Sequence, residues 1–202
     1  MLRFDGRKVI VTGAGSGIGQ ATVARLLDEG ATVVAADVSA DGLATTAKGA
    51  EAAGTDGRLR TAVLDISDEP AVAETVRTAV DDLGGLDVLV NAAGIIRGGH
   101  THEFDLQTWN LVLSVNLTGT FLMTRAALPA LLESPRGGVL VNFSSTSASF
   151  AHPYLAAYSA SKGGILSFTH AIAMEYSKQN LRAVSIVPGG IQGPGVVDLC
   201  PV

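Results

Sequence analysis

Short apolar runs alternate along this chain with longer segments of helical patterning. Residues 8–12, 32–36, 60–64, 88–91, 139–143 and 183–187 are short runs rich in Val, Leu, Ile or Ala. Runs of that kind suit strands covered on both faces. Between them, residues 18–29, 41–53, 69–83, 106–133 and 157–179 carry the spacing of helices. A regular alternation of strand and helix implies one parallel sheet with right-handed crossovers. The pattern therefore predicts an α/β fold, a doubly wound parallel sheet with helices on both faces. No 20–50-residue repeat, low-complexity tract or linker interrupts it, so residues 1–202 read as one domain. The helix over 106–133 has a weak spot, because Asn116, Thr118 and Gly119 are poor helix-interior residues. Two readings stay open there, a kink that frees a polar group for use and a tolerated blemish.

Composition narrows the classes. With 202 residues, 47% hydrophobic and 16% charged, the chain is globular rather than disordered. A domain of this size buries roughly 70% of its unfolded surface. The net charge of -5 offers no basic surface to nucleic acid or to an anionic membrane. Cys200 is the single cysteine, which excludes an intrachain disulfide and fits a reducing compartment. Arg3, Asp5, Arg7 and Lys8 interrupt any N-terminal apolar run, unlike a signal peptide. No apolar stretch is read as approaching the roughly 20 residues of a spanning helix. A cytoplasmic protein is expected.

The first chemical signal is TGAGSGIG at residues 12–19, after the first strand and opening the first helix. Gly13 permits a tight turn, Gly17 lets a pyrophosphate approach the backbone, and Gly19 allows close helix–strand packing. The helix N-terminus supplies free N–H groups for the phosphates. Asp37 ends the second strand, 18 residues after Gly19. A carboxylate there accepts hydrogen bonds from ribose hydroxyls and repels the 2′-phosphate of NADP. No Arg or Lys stands at 14–16 or at Val38 to offset that charge. NAD is expected over NADP.

At this point the chain resembles the short-chain dehydrogenase/reductase family along nearly its whole length. Gly13-x3-Gly17-x-Gly19 is similar to that family's TGxxxGxG and to a Rossmann-type dinucleotide fold. Asp65 matches an acidic position that contacts adenine. NAAG at residues 91–94 resembles NNAG, with Ala92 in place of the second Asn. Asn116, Ser145, Tyr158 and Lys162 match the catalytic tetrad, and Pro188 and Gly189 match a PG motif after the sixth strand. The resemblance implies a cofactor site of Gly13, Ser16, Gly17, Ile18, Gly19, Asp37, Asp65, Ile66, Asn91, Ala92, Gly94, Tyr158, Lys162, Pro188, Gly189 and Ile191. It also implies hydride transfer with an alcohol or carbonyl compound, and a homodimer or homotetramer built on the helices over 106–133 and 157–179.

Tyr158 and Lys162 stand at i and i+4, on one face of a helix. A tyrosine hydroxyl ordinarily ionises near pH 10, so service as a base near neutrality needs about 3–4 kcal/mol of help. A unit charge ~4 Å away, at an effective dielectric of ~20, contributes about 4 kcal/mol. Lys162 is therefore of the right size, and the positive ring of oxidised nicotinamide adds to it. Tyr158 would act as base in oxidation and acid in reduction. Ser145, 13 residues before Tyr158, would orient the substrate oxygen. Ser144 competes on sequence alone, and the family spacing selects Ser145. By resemblance Asn116 would hold a water in a proton relay from Lys162.

His100, His102, His152 and His170 show no metal-site spacing, and no metal is expected. His152 and Tyr154 lie between Ser145 and Tyr158 and are candidates for substrate contact. Two departures stand out. Gly193 occupies the place of a cofactor-contacting Thr, and the chain ends at Val202, before the family's further helix and seventh strand. A truncated polypeptide with the sixth strand as an exposed edge is the corresponding expectation. The second functional reading is a catalytically weak or inactive dinucleotide-binding protein.

Overall fold

The computed structural model describes residues 2–190. Six parallel strands run in the order β3-β2-β1-β4-β5-β6. They are β1 Lys8–Thr12, β2 Thr32–Asp37, β3 Leu59–Val63, β4 Val88–Asn91, β5 Gly138–Phe143 and β6 Leu181–Ile186. The helices are α1 Gly17–Asp28, α2 Ala40–Ala52, α3 Glu69–Leu83, α4 Leu106–Leu113, α5 Gly119–Leu132 and α6 Ala156–Glu175. All six strands and the helical segments fall where the apolar pattern puts them. Two short 3-10 turns, Asp56–Arg58 and Thr146–Ala148, carry no periodic signal and were not foreseen. The sixth strand starts two residues earlier than expected, because Asn180 turns the chain at φ 58° and Leu181 enters pairing with Gly138.

Alternation of side chains splits the core in two. Val9, Val11, Val33, Ala35, Val88 and Val90 face α1 and α2 through Val23, Leu27 and Leu43. Ile10, Val34, Leu89 and Leu140 face the other way, onto Val72 and Val76 of α3, Met123 and Leu131 of α5 and Ile172 of α6. Both faces of the central strands are covered, which is why they read as continuous apolar runs. The strand order reverses between β1 and β4, and such a switch point opens a crevice at the carboxyl ends of the strands.

The weak spot in the long helix is a π-helical turn, Ser114–Thr118, between α4 and α5. Of the two readings the kink is the one realised, and Asn116 within it is fully buried. Gly119 follows because a β-carbon there would stand 2.7 Å from the Ile66 side chain. The whole run Leu106–Leu132, with a mean hydropathy of 1.4 over its most apolar window, has the length and composition of a membrane span. The sequence reading had excluded any such stretch and is corrected here. The run instead packs against α3, β4, β5 and α6, as a core helix does.

Among the described residues β6 forms one edge of the sheet, with Val184 and Ile186 about half exposed, at 48% and 45%. Behind the sheet a polar seam is closed by hydrogen bonds. Asn91 Nδ2 donates to Asn142 Oδ1 at 2.9 Å and to Thr124 Oγ1 at 3.2 Å, and Asn142 Nδ2 donates to Thr169 Oγ1 at 2.9 Å. The seam ties β4 and β5 to α5 and α6.

Candidate active site

The crevice begins where β1 turns into α1. Gly13 sits at φ 67°, and a β-carbon on it would lie 2.7 Å from the Ala93 backbone nitrogen. A β-carbon on Gly19 would lie 2.0 Å from the Gly13 carbonyl oxygen. Both positions are closed to any side chain, so the turn, the first turn of α1 and the chain after β4 lie against one another. Ser16 caps α1 with backbone alone and makes no side-chain hydrogen bond. By contrast Ser39, Asp68 and Asp105 each accept an N–H at the starts of α2, α3 and α4. The first N–H groups of α1 are thus left without a side-chain acceptor, and a β-carbon built on Gly17 meets nothing within 4 Å. Open space over orphan N–H groups is what a pyrophosphate requires.

Asp37 closes the rim of this cradle. Its Oδ2 accepts the Gly15 N–H at 2.9 Å and its Oδ1 accepts the Ser39 N–H at 2.8 Å. An ionised carboxylate has about four acceptor sites, so half remain for a ribose. A cavity of 370 Å³ is lined by Gly13, Ser16, Gly17, Ile18, Gly19, Asp37, Asp65, Ile66, Ala92 and Gly94 among others. Asp65 lies two residues beyond the end of β3, where its Oδ1 accepts from the Ser67 backbone and hydroxyl. Asn91 is the exception among the expected cofactor residues. Its side chain belongs to the buried seam behind the sheet and borders neither cavity.

A second cavity of 460 Å³ continues from the first, sharing Ile18, Ala92, Gly94 and Ile95. Ser145, Tyr158, Lys162, Pro188 and Gly189 all border it. Ile191, Gly193 and Cys200 lie outside the described residues. Ser144 and Ser145 both reach the cavity wall, and their hydrogen bonds separate them. Ser144 Oγ donates to the Lys162 carbonyl at 2.8 Å, pinning the end of β5 to α6. Ser145 Oγ bonds only within its own turn, accepting from Ser147 N at 3.2 Å and donating to Ser147 Oγ at 3.3 Å. The hydroxyl free to turn to a ligand is therefore that of Ser145.

Lys162 is 5% exposed. Its Nζ donates to the Phe143 carbonyl at 2.7 Å and lies 5.6 Å from the centroid of the Tyr158 ring. At that distance, with an effective dielectric of ~20, an ammonium stabilises a unit negative charge by about 3 kcal/mol. A β-carbon on Gly94 would stand 3.2 Å from Asn116 Oδ1, a tight approach, and 3.5 Å from Lys162 Nζ, an ordinary contact. Asn116 Oδ1 accepts the Ile95 N–H at 2.8 Å, and its Nδ2 donates to the Ile95 carbonyl at 2.9 Å and to Ser161 Oγ at 3.0 Å. Both amide hydrogens are spent, and Oδ1, with one of its two lone pairs used, keeps an acceptor site for a water. These contacts also clamp the chain after β4 to α6, beside Lys162.

Sequence reasoning missed Phe143, Ser161 and Ser147. The first acts through a backbone carbonyl, which no residue pattern records. His152 borders the substrate side of the cavity, whereas Tyr154 does not. Tyr154, at φ 68°, instead accepts the Gly99 N–H on its carbonyl and packs edge-on against His100 at 4.9 Å.

A nucleotide cradle opening into a cavity with a tyrosine hydroxyl, a serine and a buried ammonium defines a dinucleotide-dependent oxidoreductase. Comparison with known proteins agrees. The family model for short chain dehydrogenases matches residues 7–199. The 3-oxoacyl-[acyl-carrier-protein] reductase FabG of Thermotoga maritima is 37% identical over 193 residues, covering 96% of this chain and 77% of that protein. Levodione reductase superposes with a TM-score of 0.92 at 34% identity, covering 96% of this chain and 75% of that one. Carveol dehydrogenase from Mycobacterium avium, solved in complex with NAD, gives 0.88 at 30% identity, covering 93% and 72%. The chain belongs to the short-chain dehydrogenase family, oxidoreductases that act on CH–OH groups with a nicotinamide cofactor.

Burial lowers the Lys162 ammonium from its ordinary 10.5 to about 8. That fall corresponds to roughly 3 kcal/mol of unfavourable burial of the charge. The folded chain holds this proton less tightly than the unfolded chain. The cost is therefore present in full below pH 8 and is relieved as the pH rises towards 10.5. Lys162→Met removes the charge and keeps most of the volume. In thermal denaturation of the cofactor-free protein the variant is expected to melt at or above wild type at neutral pH. Its advantage should shrink between pH 8 and 10.5.

Proposed function

We propose that this chain moves a hydride between NAD(H) and a small secondary alcohol or ketone, with Tyr158 as the general acid/base. The observation that carries this reading is the convergence of Ser145, Tyr158 and Lys162 on one cavity continuous with the glycine cradle. The nicotinamide ring supplies the hydride acceptor in oxidation and the hydride donor in reduction.

The chain's own groups do the rest. Ser145 Oγ holds the substrate oxygen and fixes the carbinol carbon towards the crevice. In oxidation Tyr158 takes the hydroxyl proton while the C–H bond breaks with its electron pair. In reduction it returns that proton. The Lys162 ammonium favours the phenolate, and Phe143 and Ser144 fix the lysine from either side. Asn116 holds the Ile95 backbone and Ser161, and the free lone pair of its Oδ1 would take the water of the proton relay from Lys162. Gly13, Ser16, Gly17, Ile18 and Gly19 would carry the pyrophosphate end, with Asp65 and Ile66 around the adenosine. Ala92, Gly94, Pro188, Gly189 and Ile191 would bound the nicotinamide end. A cytoplasmic homodimer or homotetramer fits the exposed Phe121 on α5 and Met174 on α6.

NAD is favoured over NADP because the Asp37 carboxylate stands at the ribose rim without a neighbouring Arg or Lys at 14–16 or 38. Fluorescence titration is expected to show NADH binding at least about tenfold tighter than NADPH, an electrostatic penalty of ~1.4 kcal/mol or more. Equal affinities would remove Asp37 from this role. Tyr158→Phe is expected to lower kcat by about 10²–10⁴ with NADH affinity unchanged. Unchanged turnover would take the proton transfer away from Tyr158. An inactive wild type that still binds NADH would favour the non-catalytic reading.

A further inference from the structure

The cavity at Tyr158 divides by chemistry. Ile18, Ala92, Gly94 and Ile95 belong to its cofactor side, being shared with the nucleotide crevice. On the substrate side stand Ile96, Pro153 and Leu155, together with Ser147 and His152. Apart from His152, Lys162 is the sole ionisable cation in the described lining, and it is already held by the Phe143 carbonyl. Nothing else in that lining offers a charge to a phosphate or carboxylate. The described lining therefore suits a neutral substrate with an apolar body.

Ser147 changes what that body must carry. It is buried, 7% exposed, in the 3-10 turn Thr146–Ala148 that Ser145 caps. Ser147 Oγ accepts from Ser145 Oγ at 3.3 Å. Its own hydrogen has no acceptor among the described residues, although a hydroxyl offers one donor and two acceptor sites. Two hydroxyls therefore stand side by side on one wall, one of them the group that holds the reacting oxygen. In a gauche vicinal diol the two oxygens likewise lie within hydrogen-bonding distance of each other. His152 complements this. Its Nδ1 lies 3.1 Å from the Phe150 carbonyl. A carbonyl only accepts, so in the neutral ring this contact puts the hydrogen on Nδ1 and the lone pair on Nε2. An acceptor at the cavity rim matches a hydroxyl rather than a second carbonyl.

We propose that Ser147 is a specificity residue and that the substrate is a neutral 1,2-diol, or in reverse its α-hydroxy ketone. The proposal rests on the hydride-transfer reading above. In oxidation one carbinol C–H bond breaks and its electron pair leaves as hydride to oxidised nicotinamide. The proton of that hydroxyl passes to Tyr158, a C=O bond forms, and the neighbouring C–OH stays intact. Ser147 donates to the oxygen of that second hydroxyl, and His152 Nε2 accepts its hydrogen.

The test compares matched pairs with NAD: 2,3-butanediol against 2-butanol, and 1,2-cyclohexanediol against cyclohexanol. For wild type, kcat/KM is expected to favour the diol by about tenfold or more, the discrimination of a site built to hydrogen-bond a substrate hydroxyl. Ser147→Ala is expected to lower that ratio several-fold, with His152 left to accept the hydrogen of the second hydroxyl. A structural role for Ser147 would lower both substrates together and leave the ratio standing, which overturns the proposal. Equal wild-type kcat/KM for diol and mono-alcohol overturns it as well, while leaving hydride transfer intact. Turnover of none of the four alcohols would overturn the hydride-transfer reading, and this proposal with it.

Discussion

A lysine ammonium with 5% exposure is the constraint around which this site is arranged. Burying that charge costs roughly 3 kcal/mol at neutral pH, a large share of a domain's net stability. Among the described residues its one hydrogen bond goes to the Phe143 carbonyl, at the end of β5. The features around it make the position possible. Gly94 leaves room where a β-carbon would press on Asn116 Oδ1 beside Lys162. The π-helical turn brings Asn116 against Ile95 and Ser161, locking the chain after β4 to α6. A cation held this way is useful chiefly to a neighbour that becomes negative, and the Tyr158 ring lies 5.6 Å away.

The same logic extends to the sheet. Because the order reverses between β1 and β4, the turn after β1 and the chain after β4 meet at one place. Gly13 and Gly19 let them meet without side chains between them. The nucleotide end and the chemical end of the crevice therefore share a wall of Ile18, Ala92, Gly94 and Ile95. Displacement of either glycine contact would move cofactor and catalytic groups relative to each other, and small misplacements carry large kinetic costs.

Much of this was legible in the sequence. Continuous Val-rich runs covered on both faces betray the parallel strands, and TGAGSGIG placed between strand and helix betrays the cradle. The helix-breaking trio Asn116, Thr118 and Gly119 located the π-helical turn, though not its geometry. The choice of Ser145 over Ser144 came from the family spacing, and the different bonding of the two hydroxyls is visible only in three dimensions. Ser144 is consumed by the Lys162 carbonyl. The side chain of Asn91 turned out to serve the seam between β4 and β5, because strand alternation points it behind the sheet. Phe143 and Ser147 were invisible beforehand, one acting through its backbone and the other through a turn with no periodic signature. The apolar run over Leu106–Leu132 was misjudged because it is apolar on its exposed side as well, with Leu106, Leu111 and Phe121 exposed, so no polar face interrupts it.

Together these contacts describe a proton-transfer group beside a hydride path, and the direct test is to follow the hydride itself. NADH carrying deuterium at the transferable C4 position would be incubated with the protein and acetoin or 2-butanone in ordinary water. The account expects deuterium on the carbinol carbon of the alcohol formed, from one of the two C4 diastereomers of the cofactor and undiluted by solvent hydrogen. A product without deuterium, or NADH that binds and is never consumed, would contradict it.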